Sequence, residues 1–308
     1  MIARLTRLLL IVQLTVAVAF ASALQRIWTD LSLLSGLFIG MGCIVLIRAA
    51  ITANNFRLAT GVPDPVSTVA LGIGGTLRLY AGELHATLVS SSWTMPFIKP
   101  RIFVAHDSVL PPVLLVHGYG CNGRYWWHLS KQLKMANITH YAVDLEPVLC
   151  AIDCYEPQIT AAMKMMQTAT GQHQIVMVGH SMGGLVARDW IRVNGGDCVA
   201  KLITLGTPHS GTMLARYGLG ENSRQMLPAG APRARPWLTQ LNSQIKPAVS
   251  TVSIYSLHDN IIAPRTSSHL PGAHNIVLTG IGHVALGSHP AVMSCVVKEI
   301  GNARKSSG

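Results

Sequence analysis

The sequence predicts an α/β fold: a mainly parallel sheet with helices on both faces, preceded by an N-terminal apolar helical hairpin. Three observations carry that expectation. Short β-rich runs alternate with helix-length segments from Pro111 onward. Gly179-His180-Ser181-Met182-Gly183 stands between the apolar run Gln174 to Val178 and a helix-like stretch, Gly184 to Trp190. The opening 48 residues hold two apolar runs, Leu8 to Leu24 and Leu31 to Ile47. Strands that alternate with helices imply right-handed crossovers, and hence parallel strands covered on both faces.

Each apolar run is about 17 residues, the lower limit for a helix that crosses a membrane. Arg26 and Asp30 lie in the short connection. Read together, the runs form a membrane-anchoring hairpin over residues 1–48. A cleaved signal peptide followed by one anchor is the competing reading, because Arg4 and Arg7 make a basic start and Ala21-Ser22-Ala23 fits a cleavage site. Buried core helices are a third. Arg4 and Arg7 before the hairpin, with Arg48 and Arg57 after it, place both ends and the following domain in the cytoplasm, although Arg26 sits in the loop. The net charge is +11 over 308 residues, with only 12% charged residues and a mean hydropathy of +0.37. No Lys/Arg run or interleaving of basic and aromatic residues accompanies that charge, so nucleic acid is not an expected partner. An anionic membrane surface is the more economical account.

Residues 49–100 mix helix-like pieces with breakers such as Gly61-Val62-Pro63-Asp64-Pro65 and Gly72-Ile73-Gly74-Gly75, and read as a juxtamembrane connector. The main domain follows over 101–308. Its β-rich runs are Val113 to Val116, His140 to Leu145, Gln174 to Val178, Ala200 to Leu205, Thr251 to Leu257 and Asn275 to Leu278. Trp126 to Met135 and Tyr155 to Thr168 carry helical spacing. The interval 212–250 holds Gly, Pro, Arg and scattered apolar residues; it reads as a lid-like insertion or as a surface excursion with one helix at Trp237 to Leu241. Six cysteines are too few and too irregular for a disulfide framework. Cys150 and Cys154 would pair in an oxidising compartment, but the reading preferred here is two free thiols. No C-x-x-C pair with downstream histidines signals zinc, and no cofactor or metal is expected.

A serine at a tight strand-to-helix turn is pushed out of the sheet, where it can act as a nucleophile. It then needs an imidazole to take its proton and a carboxylate to orient that imidazole. The acids after Ser181 are Asp189, Asp197, Glu221, Asp259 and Glu299. Asp189 lies on the elbow helix about 12 Å along its axis, Asp197 beyond that helix, Glu221 in the insertion and Glu299 near the C-terminus. Asp259 directly follows the run Thr251 to Leu257, which puts it on the carboxyl edge of the sheet beside Ser181. His283 follows the last β-run and the loop Gly280-Ile281-Gly282, and is the expected base. His289, next to Pro290 at a helix start, reads as a surface or capping residue. The N–H groups of Tyr119, in the glycine-rich turn after Val113 to Val116, and of Met182 are the expected oxyanion donors. His117 and His209 read as residues that hold loops.

Leu115-Val116-His117-Gly118-Tyr119-Gly120, Val178 to Arg188, Leu205-Gly206-Thr207-Pro208-His209-Ser210-Gly211-Thr212 and Gly280-Ile281-Gly282-His283 resemble the α/β-hydrolase fold, in particular its bacterial triacylglycerol lipase and esterase branch. The resemblance covers roughly residues 100–300. It implies a triad of Ser181, Asp259 and His283, oxyanion donors at Tyr119 and Met182, and hydrolysis of carboxylic esters, lipid acyl esters among them, through an acyl-enzyme. Secreted members carry a cleavable signal and sometimes calcium. This chain departs in its double apolar N-terminus, and no calcium-ligating acidic pair stands near His283. The implied protein is an enzyme held at a membrane, a bacterial inner membrane by the resemblance, that acts on lipid or small esters; export after signal cleavage is the alternative. The same triad also serves acyltransferases and thioesterases. A non-catalytic membrane-bound binding module would require a broken triad.

Overall fold

The computed structural model describes residues 1–66, 69–99, 102–243 and 249–303. Residues 67, 68 and 100 of the expected connector, 244–248 of the expected insertion, and 101 and 304–308 at the two ends of the main domain lie outside the described residues.

Helix α1 (Ile2–Ile27) and helix α2 (Leu33–Thr60) form the hairpin. The Ser32 hydroxyl caps α2 by accepting from the Ser35 N–H at 3.1 Å. The seam is made of small residues at a spacing of four. A Cβ at Gly36 would stand 3.0 Å from Ala21, and one at Gly40 would stand 3.0 Å from the Ala17 carbonyl oxygen. Such close backbone approach is how helices associate where apolar side chains gain nothing by leaving their surroundings. Leu8, Leu14, Phe38 and Leu46 point outward, exposed, and both helices are long and apolar enough to cross a membrane. Gly40→Leu is expected to wedge the pair apart, costing about 1–3 kcal/mol. Thermal unfolding in detergent checks this, with Gly42→Leu as the control, since a Cβ at Gly42 meets nothing.

Helix α2 runs on past Ile47 to Thr60, because no glycine or proline interrupts it before Gly61. The Arg48 guanidinium, counted toward a cytoplasmic placement of the end of the hairpin, is taken up internally. It donates to Ser91 and Ser92 Oγ at 2.9 Å each and to Gln13 Oε1 at 3.0 Å. Gly72 to Gly75, read as a breaker, is the first turn of helix α3 (Gly72–Val89). A first turn lacks intrahelical partners for its N–H groups, so glycines disrupt it less than they would a helix interior. A π-helical turn (Ser90–Thr94) leads into the short helix α4 (Met95–Phe97), where Met95 is buried with Ile2 and Val148.

Six strands follow: β1 (Val113–Val116), β2 (His140–Val143), β3 (Ile175–His180), β4 (Val199–Leu205), β5 (Thr251–Ser256) and β6 (His274–Leu278). They make one parallel sheet in the order β2-β1-β3-β4-β5-β6. The central strands β1 and β3 are buried along their whole length, which is why they read as continuous apolar runs without alternation. Leu129 and Leu133 of α5 (Trp127–Met135), with Val292, Val296 and Ile300 of α10 (Pro290–Ala303), pack into one core layer. Ile159 and Met163 of α6 (Glu156–Thr170), with Leu185 and Trp190 of α7 (Met182–Asn194), pack into the other. The insertion carries α8 (Glu221–Gln225) and α9 (Trp237–Leu241).

Cys150 and Cys154 are joined in a disulfide, which corrects the expectation of free thiols. The intervening 3-10 turn, Ile152–Tyr155, brings their Cα atoms to 6.2 Å, within bridging range.

Candidate active site

The strand order reverses between β1 and β3, where the chain departs to β2 on one side and to β4 on the other. In open α/β sheets the crevice beyond the carboxyl ends at such a switch point is the binding site. Two loops meet there, Gly118-Tyr119 after β1 and Ser181 after β3.

Ser181 joins β3 to α7 with φ +54° and ψ −128°, a conformation costly for any residue with a Cβ. The turn is held by the Ser181 N–H donating to the Leu205 carbonyl at 2.9 Å. Neighbouring glycines serve close approach rather than positive φ. A Cβ on Gly183 would overlap the Val116 and His117 carbonyl oxygens, and one on Gly184 would overlap Thr207. The strain thus sits on the serine, and the glycines let three strands' ends crowd beneath it.

Asp259 follows β5, and His283 lies beyond β6. His283 Nδ1 and Asp259 Oδ2 are 2.7 Å apart, both side chains almost wholly buried. The other carboxylate oxygen, Oδ1, accepts from the N–H groups of Ile261 and Ile262 at 2.8 Å each. Burial pushes the His283 imidazole down, but the charge and hydrogen bond of Asp259, with the charge of Glu83, outweigh it and raise its pKa. Gly206 links this pair to the elbow: it follows Leu205, which anchors Ser181, and a Cβ there would meet Asp259 Oδ2 at 3.2 Å and His283 Nδ1 at 3.4 Å.

Among the described residues, neither the Tyr119 N–H nor the Met182 N–H has a hydrogen-bond partner. Met182 opens α7, so its N–H also carries the positive end of the helix dipole. The Tyr119 hydroxyl donates to the Leu219 carbonyl at 2.9 Å and accepts from the Leu219 N–H at 2.8 Å, tying this turn to the insertion.

Most of the remaining candidates are occupied elsewhere. Asp189 pairs with Arg192, Glu221 with Arg224 and Arg235, and Glu299 with Lys201. His117 donates from Nδ1 to the Gly118 carbonyl and accepts the Leu145 N–H at Nε2, which holds the loop after β1. His209 is held by Thr204 and Arg188. His289 accepts the Met293 N–H at its carbonyl, at the start of α10.

Several contributors escape a reading of the sequence. Asn260 Oδ1 accepts the His283 N–H at 2.9 Å. His180 Nε2 lies 3.1 Å from the His283 carbonyl, with its ring stacked on Tyr125, so the variable residue of the elbow motif also braces the histidine loop. Burial, and then the neighbouring His283, push His180 well below the usual histidine range, which keeps it neutral. A cavity of about 570 Å³ opens onto Ser181. Leu214, Met226, Ile261 and Ile262 line it with the Tyr119 turn, and Asn54, Asn55, Arg57 and Leu58 of α2 close one side. That volume is in the range of small-molecule pockets.

A family model described as PGAP1-like alpha/beta domain matches residues 111–275. The triacylglycerol lipase of Pseudarthrobacter phenanthrenivorans is 29% identical over 119 residues, which are 34% of this chain and 35% of the relative. That of Burkholderia plantarii is also 29% identical over 119 residues, 34% of this chain and 32% of the relative. The match therefore spans a minor part of either relative's length. The mature Bacillus licheniformis lipase BlEst2 superposes with a TM-score of 0.56 at 16% identity, covering 64% of this chain and 95% of that one. That likeness is one of fold.

Proposed function

We propose, from the premise that the chain belongs to the PGAP1-like alpha/beta domain family, that it is a membrane-held serine hydrolase of carboxylic esters, with lipid acyl esters as its substrate class. The observation that carries the reading is the buried Asp259–His283 hydrogen bond at the same sheet edge as a serine held at φ +54°. Ser181 Oγ attacks the ester carbonyl while His283 takes its proton at Nε2, the nitrogen left free by Asp259. The oxyanion that forms is held by the N–H groups of Tyr119 and Met182. His283 then returns the proton to the leaving alcohol, which departs and leaves an acyl-Ser181. Water, deprotonated by the same imidazole, releases the acid and restores the serine.

Leu214, Met226, Ile261 and Ile262 in the cavity lining support an acyl chain as the bound group. Anchoring by α1 and α2 is supported by their length and outward apolar faces, and by the packing of Ala17 and Ala21 against Gly40 and Gly36. Signal cleavage near Ala23 would remove the partner of that seam. The Cys150–Cys154 disulfide favours an oxidising compartment for the sheet domain. The arginine argument for the cytoplasm loses force once Arg48 is consumed internally and Arg26 stands in the last turn of α1, next to the loop.

The full-length protein in detergent is expected to hydrolyse p-nitrophenyl esters, and Ser181→Ala to lower kcat by at least about 10³-fold with the melting temperature retained. Full activity in that variant would sink the assignment. Rates that climb with acyl length in the presence of micelles support a lipid ester; activity confined to the shortest acyl groups would replace the lipid by a small ester.

A further inference from the structure

Helix α3 is apolar or small along most of its length, and Glu83 is its one acid. That carboxylate is not at the surface. Glu83 is 1% exposed, and its two oxygens accept the N–H groups of Val284 and Ala285 at 3.0 Å each. These are the two residues that directly follow His283. The helix packs so closely that a Cβ on Gly282, the residue before His283, would overlap the Glu83 carboxylate. A side chain from the connector therefore grips both flanks of the expected base, 200 residues away in sequence.

Charge adds to geometry. His283 is faced by Asp259 through a hydrogen bond, by the neutral His180 ring at 4.6 Å between centroids, and by Glu83. Tyr125 closes the remaining side by donating to the Val284 carbonyl at 3.1 Å. Cys121 lies behind Tyr125, and burial keeps both of these groups protonated. His85 and His128 stand on the far side of Tyr125 around a small cavity. Of these groups, only Asp259 and Glu83 bring negative charge to His283. Burial raises the Glu83 pKa, and the Val284 and Ala285 N–H bonds and then the charge of His283 oppose that by favouring the ionised carboxylate.

We infer that Glu83 is a positioning residue of the active site: it fixes the backbone that carries His283 and places a second negative charge beside the Asp259–His283 pair. The inference rests on the Ser181, Asp259 and His283 reading given above. When the Ser181 proton moves to His283, the positive charge that forms on the ring lies between two carboxylates in a dry interior, where such attraction is strong. A mere structural cap would hold the loop without affecting when the ring titrates.

The test is the pH profile of kcat/KM for the full-length enzyme in detergent, with rates divided by the number of sites that react with a fluorophosphonate. The sign follows from the chemistry. His283 works as a neutral base, so activity rises with pH as the ring loses its proton, and a neighbouring negative charge moves that rise to higher pH. Glu83→Gln keeps the size and loses the charge. The acid limb is expected to move down by about half a unit or more, with kcat per site falling at least tenfold and KM within twofold. Glu83→Asp, which keeps the charge, should retain the wild-type limb. A Glu83→Gln limb that coincides with wild type would overturn the inference, as would failure of both variants to give any fluorophosphonate-reactive protein, since Glu83 would then serve folding alone. Ser181→Ala separates the two readings: full activity there defeats the triad, whereas an unmoved limb in Glu83→Gln defeats only the role of Glu83.

Discussion

Asp259→Asn is expected to lower kcat by about 10⁴-fold while leaving the protein folded and KM nearly unchanged. The amide can still accept the Ile261 and Ile262 N–H groups through its oxygen, so the loop after β5 keeps its shape. Its NH₂ group then faces His283 Nδ1, which must become an acceptor. The ring proton is forced onto Nε2, the nitrogen that has to receive the Ser181 proton, and the base is blocked. Loss of the Asp259 charge also removes the main influence that raises the imidazole pKa against burial. Since activity requires the neutral ring, the residual acid limb should shift to lower pH. Burst kinetics with a p-nitrophenyl ester check the acylation step, and a thermal melt checks the fold. A variant with kcat within tenfold of wild type would remove Asp259 from the triad.

Gly183→Ala is expected to destabilise the sheet domain by about 3 kcal/mol and to lower its Tm by roughly 10 °C. A Cβ there overlaps the carbonyl oxygens of Val116 and His117. Those oxygens belong to the central strand and its turn, and neither can swing aside as a side chain would. Any relief must lift α7 away from the sheet, and α7 carries Met182 and the turn of Ser181. Activity should therefore fall together with stability. Gly195→Ala tests the opposite case, because a Cβ there meets nothing and only its φ of +79° opposes substitution. Its effect should be the smaller of the two. Differential scanning calorimetry reads both, and equal melting points for Gly183→Ala and wild type would contradict the packing account.

The sheet was legible because each buried strand is a short apolar run bounded by Gly, Pro or polar residues. The expected runs fall within a residue or two of β1 to β6 at most ends. The meeting of Asp259 with His283 was legible for a topological reason. Residues just past parallel strands must gather on one edge, so order along the chain translates into proximity. Glu83 and the α2 wall of the cavity had no such warrant. They come from segments outside the alternating pattern, and nothing in strand periodicity states where a preceding helix will dock. A faint signal for Glu83 did exist: a single acid in a largely apolar helix needs donors wherever the helix is buried. The Gly72 to Gly75 run concealed it by suggesting that no helix was there. The disulfide was missed because spacing alone does not distinguish a pair held 6.2 Å apart by a 3-10 turn from two thiols on a loose loop.

Helix α2 is one unbroken rod from Leu33 to Thr60, with its apolar seam at one end and Asn54, Asn55, Arg57 and Leu58 against the cavity at the other. It therefore acts as a ruler. Adding or removing a single residue between Ile47 and Asn54 would shift the cavity wall by about 1.5 Å and turn it by about 100°, so reach and aperture cannot be altered separately. Under the anchoring proposed above, depth of immersion and shape of the cavity at Ser181 are in this sense a single inherited dimension. Under that anchoring, a thicker bilayer would call for lengthening the rod by whole turns or for a rebuilt cavity wall.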